Sequence, residues 1–258
     1  MTEETLFEQD GPVGWLTFNR PEARNSMTWG MYEALRETCE RVDEDPAMRV
    51  VVLRGAGDKA FASGTDIRQF LDFKTREDAL AYEDRLDRSI GRLAAMQKPA
   101  IAMVQGDAVG GGLFLALSCD IRIAAEHTRY GVPVARTLGN FPAPANFSRL
   151  VAAIGPVRAR NLVLTARLMD AQEAQAVGLV DEVLPADRLE ERVRELAQRI
   201  AGLAPLTLST IKEAARRVAE PFALRDAEEL LLTCYLSQDF QEGVRAFLEK
   251  RTPNWKGV

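Results

Sequence analysis

The sequence predicts an α/β protein with a parallel sheet in its first two thirds and a helical region at its end. Short β-branched runs, of which Val50-Val-Val-Leu53 is the clearest, alternate with amphipathic helical patterns as far as Pro185. Such alternation is typical of parallel sheets whose strands are buried on both faces. Only helical patterns follow Pro185. We therefore divide the chain into a core of residues 1–185 and a helical region of residues 186–258.

Hydropathy, proline and glycine delimit the individual elements. Apolar and polar residues alternate over 13–19, which predicts a half-buried strand that ends at Arg20-Pro21. Further strands are predicted over 49–54, 101–104, 120–124 and 179–184, and core helices over 31–42, 78–96 and 113–118. Helical windows in the last region cover 189–200, 206–218, 223–236 and 240–250. The segments 61–67 and 106–112 are predicted as loops between a strand and a helix.

Composition excludes several classes of function. The 258 residues carry a formal net charge of −5 and 47% hydrophobic residues, as in an ordinary globular protein without a basic surface for nucleic acid or anionic membranes. The apolar runs are far shorter than the roughly 20 residues of a membrane helix. Three scattered cysteines and an N-terminal sequence without a signal-peptide pattern favour a cytoplasmic location. The single histidine and the absence of ligand spacing argue against a metal site.

Two glycine-bearing loops, at 62–67 and 106–112, each follow a buried strand and open a helix. The first turn of a helix has unpaired N–H groups, and glycine lets a ligand approach the backbone closely. Two such loops that face one another can grip a carbonyl oxygen that becomes negative during a reaction. The alternative is that both loops are only tight connections, with Asp66 as a helix cap.

Six segments in this order resemble the crotonase superfamily, the enoyl-CoA hydratase/isomerase family, over nearly the whole chain. The segments are Phe18-Asn-Arg-Pro-Glu-Ala-Arg-Asn25, Lys59-Ala-Phe-Ala-Ser-Gly-Thr-Asp-Ile67, Gly106-Asp-Ala-Val-Gly-Gly-Gly112, Ser118-Cys-Asp-Ile-Arg-Ile-Ala124, Ala176-Val-Gly-Leu-Val-Asp181 and Glu242-Gly-Val-Arg-Ala-Phe247. The resemblance implies a crotonase-like spiral of repeated ββα units and a C-terminal helical trimerisation region. It also implies a homotrimer or a dimer of trimers, and an acyl-CoA thioester substrate with no tightly bound cofactor.

The resemblance assigns roles to individual positions. The backbone N–H groups of Thr65 and Gly111 match the family's oxyanion hole. The positions that match coenzyme A contacts are Ala23, Ala62, Asp66, Ile67 and Arg68. Phe247 and Lys250 match positions that reach the coenzyme A of a neighbouring subunit. Arg68 also suits this role on physical grounds, because a net-acidic protein needs a local cation to bind a phosphate ester.

The chain departs from the family where its hydratases carry two glutamates. Phe114 and Val134 stand at those positions, and neither side chain can transfer a proton. The segment 132–142 is also one residue longer than the common form, so Arg136 and Asn140 become candidates for the substrate pocket. Four nearby residues are candidate substitutes for the missing acid and base: Asp72, Glu77, Tyr82 and Glu83.

Three functions stay open on the sequence alone. The first is an enoyl-CoA hydratase or isomerase that takes its acid or base from an unrecognised position. The second is decarboxylation of a malonyl-type acyl-CoA, which needs an oxyanion hole but no initial base and suits an apolar site. The third is a protein that binds acyl-CoA, or assembles with a partner, without turnover.

Overall fold

The computed structural model describes residues 3–71, 73–219 and 228–257 of the chain. Ten strands lie in the described residues: β1 Thr5–Asp10, β2 Val13–Phe18, β3 Val50–Gly55, β4 Ala60–Ala62, β5 Ala100–Val104, β6 Asp107–Val109, β7 Ile121–Ala125, β8 Arg129–Gly131, β9 Met169–Asp170 and β10 Glu182–Leu184. The α-helices of this part are α1 Trp29–Glu44, α2 Arg76–Ala94, α3 Gly111–Leu117, α4 Val134–Thr137, α5 Pro144–Leu164, α6 Ala171–Ala176, α7 Ala186–Ala201, α8 Pro205–Ala219, α9 Glu228–Tyr235 and α10 Gln238–Leu248. The described residues also include two short 3-10 helices, at Pro21–Ala23 and Ile67–Phe70.

The strands form two sheets, and from β3 to β8 successive strands of the chain alternate between them. The larger sheet has the order β1-β2-β3-β5-β7-β10, and the smaller has the order β4-β6-β8-β9. The chain repeats one pattern three times, with the strand pairs β3/β4, β5/β6 and β7/β8. In each pair the first strand joins the larger sheet, the second joins the smaller sheet, and a helix follows. Neighbouring strands are parallel except at β1–β2 and β8–β9. This repeat confirms the predicted spiral of ββα units.

Two apolar clusters hold the fold together. The main cluster lies between the two sheets and the helices α1, α2, α3 and α5, and it buries large side chains such as Phe18, Phe61 and Tyr130. A second cluster joins the other face of the larger sheet to α7 through residues such as Val52, Ile101 and Val193. Burial of this face explains why β3 and β5 are almost uniformly apolar. Although α7 begins after the predicted boundary at residue 185, it packs as part of the core.

The predicted strands and helices of the larger sheet agree with the structure, whereas short strands of the smaller sheet were predicted as loop. β4 and β6 have three residues each and lie within the glycine-bearing segments. Runs of this length carry no detectable alternation, so only their pairing with one another defines them. β1 was also not predicted, because four of its six residues are polar or acidic. It is an edge strand that pairs with β2 only.

The helical region folds back over the core. α9 packs on α2, and α10 packs on the 3-10 helix Ile67–Phe70, where Phe240 lies against Phe70 and Phe73. Part of the predicted helix 223–236 lies outside the described residues, and the rest corresponds to α9. Among the helices of the described ranges, none combines the length and the apolar character that a membrane crossing requires.

Candidate active site

A cavity of about 890 Å³ lies where the two glycine-bearing loops, α2, the segment 132–143, α9 and α10 meet. Phe247 and eleven of the other twelve predicted site residues line it: Ala23, Thr65, Asp66, Ile67, Arg68, Gly111, Phe114, Val134, Arg136, Asn140 and Lys250. The exception is Ala62, which is fully buried in β4. Its carbonyl oxygen faces Gly112, where an added Cβ would lie 1.8 Å from that oxygen. Ala62 therefore fixes the spacing of the two loops instead of lining the cavity.

The two glycine-bearing loops face one another in the cavity. A Cβ placed on Gly64 would lie 3.4 Å from the Gly111 nitrogen, and one placed on Gly111 would lie 3.6 Å from the Thr65 nitrogen. Within the described chain, the backbone bonds of the loops use neither the Thr65 N–H nor the Gly111 N–H. Gly64 has a φ of +102°, a conformation that strains other residues. The loops thus present two unpaired N–H donors to one small region.

Backbone and side-chain contacts hold the first loop in place. Met27 forms a parallel bridge with Thr65, donating its N–H to the Gly64 carbonyl at 2.8 Å and accepting from the Asp66 N–H at 2.9 Å. These bonds use the groups on both sides of the Thr65 N–H and leave that donor itself unused. The position of the Thr65 nitrogen is therefore set by the fold, without a ligand.

The Thr65 hydroxyl contacts two buried tyrosines. The Tyr82 hydroxyl donates to Thr65 Oγ1 at 2.9 Å, and the Tyr32 hydroxyl lies 2.9 Å from the same oxygen. Burial raises the pKa of both phenols, so both keep their protons. The hydroxyl groups of Thr65, Tyr32 and Tyr82 carry three protons, and the two hydrogen bonds between them use two of these. The third proton, on Thr65 or on Tyr32, is available to another acceptor. Tyr32 was not recognised from the sequence, because nothing near it in the chain indicates a contact 33 residues away.

Asp66 has the structural role that the sequence allowed as an alternative. It caps the 3-10 helix by accepting from the Arg68 N–H, and it forms ion pairs with Arg68 and Arg20. The hydrogen bond from the Arg68 side chain is the main reason why the pKa of this carboxyl lies below its usual range. Asp66 is therefore a fixed anion, and the exposed Arg68 side chain is partly neutralised by it.

Glu83 lines the same cavity as Phe114 and Val134, the positions of the absent glutamates. Phe114 is 3% exposed, and Val134 also contributes to the lining. Glu83 accepts a hydrogen bond from the Tyr235 hydroxyl at 2.8 Å, and Asn140 donates to that hydroxyl at 3.4 Å. Tyr235 belongs to α9 and was not recognised from the sequence. Its contact with Glu83 spans 152 residues, which local sequence patterns do not reveal.

Glu83 differs from the other acidic residues of the lining. Glu22 is exposed, and Asp66 and Asp107 are paired with arginines. Glu83 is half-buried, its Oε2 atom is buried without a hydrogen-bond partner, and no ion pair to it occurs in the described chain. Removal from water is the main cause that raises the pKa of Glu83 to about 7.

The other three candidates for the missing acid and base are Glu77, Tyr82 and Asp72. Glu77 is exposed in the first turn of α2 and does not line the cavity. The Tyr82 hydroxyl is engaged with Thr65. Asp72 lies outside the described residues. Within the same described residues, no group of three histidine, cysteine or acidic side chains is placed to hold a metal ion.

Basic residues line the cavity despite the acidic net charge. They are Arg24, Arg68, Arg129, Arg136 and Lys250. Arg129 is paired with Asp107, and Arg136 is exposed.

The family resemblance placed Phe247 and Lys250 against a neighbouring subunit's coenzyme A. In this structure both residues line the cavity of their own chain, because α10 folds back over it.

Comparisons with known proteins agree with this fold. The sequence profile of the enoyl-CoA hydratase/isomerase family matches residues 8–258. A probable enoyl-CoA hydratase of Mycobacterium bovis is 38% identical over 99% of both chains. The 2,3-dehydroadipyl-CoA hydratase of Escherichia coli is 36% identical over 98% of this chain and 99% of its own. The structure of a methylmalonyl-CoA decarboxylase complexed with 2S-carboxypropyl-CoA superimposes with a TM-score of 0.90, at 29% identity over 100% of both chains. The chain therefore belongs to the enoyl-CoA hydratase/isomerase family of the crotonase superfamily.

Proposed function

We propose that this protein converts an acyl-CoA thioester through an enolate held by the backbone N–H groups of Thr65 and Gly111. The observation that carries the proposal is the placement of these two nitrogens on facing loops, with neither N–H used by the backbone of the described chain. A thioester oxygen bound between them gains negative charge when an electron pair moves from Cα into the carbonyl. Each such donor is worth about 3–4 kcal/mol to the transition state.

The charges around the cavity support a coenzyme A ester as the substrate. Coenzyme A carries several phosphate charges, and five basic side chains among the described residues line the cavity of a chain whose net charge is −5. Arg24 and Lys250 are exposed, so they can meet phosphates without leaving a buried ion pair, whereas Arg68 shares its charge with Asp66. The apolar lining around Phe114 and Leu86 suits the acyl group.

A substitution at Gly111 tests the oxyanion hole. Gly111→Pro removes one N–H donor and places the proline ring in the space between the loops. We expect turnover of acyl-CoA substrates to fall by about 10²–10³-fold or more, with measurable affinity for free coenzyme A in titration calorimetry. Unchanged turnover would overturn the assignment.

A second candidate reaction is decarboxylation of a malonyl-type thioester. The superposition on methylmalonyl-CoA decarboxylase favours it, and so do the apolar side chains at Phe114 and Val134. In this reaction the bond between Cα and the carboxylate breaks, carbon dioxide leaves, and the electron pair forms the enolate. An apolar surrounding promotes the step by removing water from the carboxylate.

Product analysis separates the candidates. The protein is incubated with crotonyl-CoA, a 3-enoyl-CoA and methylmalonyl-CoA in parallel, and the products are identified by mass spectrometry. Loss of carbon dioxide alone would support the second candidate. Binding of all three thioesters without any product would contradict both reactions and support a protein that only binds acyl-CoA.

A further inference from the structure

We infer that Glu83, held by Tyr235 of the C-terminal helical region, is the carboxyl group that moves the substrate proton. The inference rests on the proposed enolate chemistry and names a proton-transferring group on α2, outside the positions occupied by Phe114 and Val134. Three observations carry it: the place of Glu83 in the lining, its unpartnered Oε2 atom, and its hydrogen bond to Tyr235.

The face of α2 that carries Glu83 points into the acyl part of the cavity. Glu83, Leu86 and Ile90 are spaced by three and four residues, so they share one side of the helix, and all three line the cavity. The preceding residue, Tyr82, donates to the Thr65 hydroxyl of the oxyanion loop. Consecutive residues of α2 thus contact the loop that would hold the thioester oxygen and the region that would hold the acyl carbons.

The hydrogen bonds around Glu83 engage one of its two carboxyl oxygens. Tyr235 donates to one carboxyl oxygen and accepts from Asn140, so the carboxyl orientation is fixed from two other elements. The second oxygen, Oε2, is buried and has no hydrogen-bond partner among the described residues. The Oδ1 atom of Asn140 is also buried without a partner. Most buried polar atoms in proteins have a hydrogen-bond partner, so these two atoms are available to a group that enters the site.

The charged groups near Glu83 make it suitable as a base near neutral pH. On its own helix the ionisable groups that interact with Glu83 are Tyr82 and Asp87, and Arg149 of α5 lies 3.9 Å from Asp87. From α1 the interacting group is Tyr32, whose phenol keeps its proton because burial raises its pKa. From α9 Glu83 faces Tyr235, whose phenol keeps its proton because burial raises its pKa. No salt bridge within the described chain holds the Glu83 carboxylate in its charged form. The carboxylate can therefore accept a proton from a substrate carbon.

The reaction that one such carboxyl supports is a proton shift along the acyl chain. The Glu83 carboxylate accepts a proton from Cα of a 3-enoyl thioester, and the C–H electron pair moves into the thioester carbonyl. The resulting dienolate is held by the Thr65 and Gly111 N–H groups. Glu83, now a carboxylic acid, returns the proton to Cγ and leaves a 2-enoyl thioester. No oxidant or second carboxyl is needed.

The test compares Glu83→Gln with Glu77→Gln, which makes the same change at an exposed position of the same helix. One measurement follows conversion of trans-3-hexenoyl-CoA and uptake of deuterium from heavy water. The other records the carbonyl resonance of hexanoyl-CoA, labelled with ¹³C, bound to each protein. This resonance reports on the oxyanion hole and does not depend on proton transfer.

We expect Glu83→Gln to lose at least about 100-fold in conversion and deuterium uptake. The shifted carbonyl resonance should persist in this variant, and Glu77→Gln should match the unmodified protein. The rate of the unmodified protein should rise with pH through about 7 and then level off. Tyr235→Phe should move that rise to higher pH, because it removes a hydrogen bond that lowers the pKa of Glu83.

Other outcomes separate the two proposals. Conversion by Glu83→Gln within a few-fold of the unmodified protein would overturn the role of Glu83 and leave the oxyanion hole intact. The same holds if the unmodified protein shifts the carbonyl resonance but neither converts nor exchanges the 3-enoyl thioester. No carbonyl shift in the unmodified protein would instead overturn the proposed enolate chemistry.

Discussion

At the scale of single residues, Thr65 contributes both a backbone donor and a hydroxyl that contacts two tyrosines. Thr65→Val keeps the N–H group and the side-chain shape but deprives the Tyr32 and Tyr82 hydroxyls of their partner. We expect a loss of about 1–3 kcal/mol in the free energy of unfolding, because the two phenols are buried. Denaturant titration measures this loss. Thr65→Ser, which keeps the hydroxyl, is the control, and equal losses in both variants would contradict the argument.

The raised pKa of Glu83 has a consequence for stability. The folded protein holds this proton up to a pH of about 7, whereas an unfolded glutamate releases it near 4.3. The folded state thus binds more protons between these values, and its stability falls as pH rises through this window. Above pH 7 the cost amounts to about 3–4 kcal/mol.

Glu83→Gln removes this cost. We therefore expect the variant to be more stable than the unmodified protein at pH 8 and not at pH 4, as measured by the free energy of unfolding. A difference that does not change with pH would show that Glu83 ionises normally in the folded protein. A variant that gains stability while losing turnover would identify a residue kept for function.

At the scale of elements, α3 and α4 present Phe114 and Val134 to the cavity. We expect hydration of crotonyl-CoA far below the rate of family hydratases, because loss of an acid or a base costs about 10²–10⁴-fold. The measurement is a steady-state assay of the unmodified protein. Hydration at the usual family rate would show that another pair of groups activates water.

The double variant Phe114→Glu with Val134→Glu extends the same argument. We expect it to raise hydration only if α4, which lies in the longer segment 132–142, orients the carboxyl group of residue 134 toward the substrate. Phe114 is almost fully buried, so a glutamate there should also lower the free energy of unfolding.

Sequence patterns predict some of these elements well and others not at all. β3 and β5 are almost fully buried on both faces, so their apolar runs are visible in the sequence. β4 and β6 are defined only by their pairing. The same division holds for the site. The loops that carry Thr65 and Gly111 have glycine signatures, whereas Tyr32 and Tyr235 reach the cavity through contacts between distant parts of the chain.

At the scale of the whole molecule, α8 leaves an apolar stripe exposed. Ile211 and Val218 are 60% and 72% exposed, and with Ala215 they follow the spacing of one helical face. Such a stripe is suited to a contact between subunits. The family resemblance implies a trimer or a dimer of trimers, which we expect in light scattering; a stable monomer at micromolar concentration would contradict this.

A charge on the stripe tests which surface is involved. Ile211→Glu should dissociate or weaken the assembly, because it places a carboxylate in an apolar contact. The control for a change of surface charge is Glu37→Lys on the exposed face of α1. Arg216→Glu on α8 itself is unsuitable as a control, because it also removes the ion pair with Glu213. Because α10 covers the cavity of its own chain, the dissociated variant should still bind coenzyme A.

The central claim is that the Thr65 and Gly111 N–H groups hold the thioester oxygen, and a crystal structure with a bound acyl-CoA tests it most directly. A non-reactive thioester such as hexanoyl-CoA is suitable, because it keeps the carbonyl and does not turn over. The account predicts both nitrogens at about 3 Å from the thioester oxygen, with Glu83 beside Cα. A thioester oxygen hydrogen-bonded to other groups, with both N–H donors left unused, would contradict it.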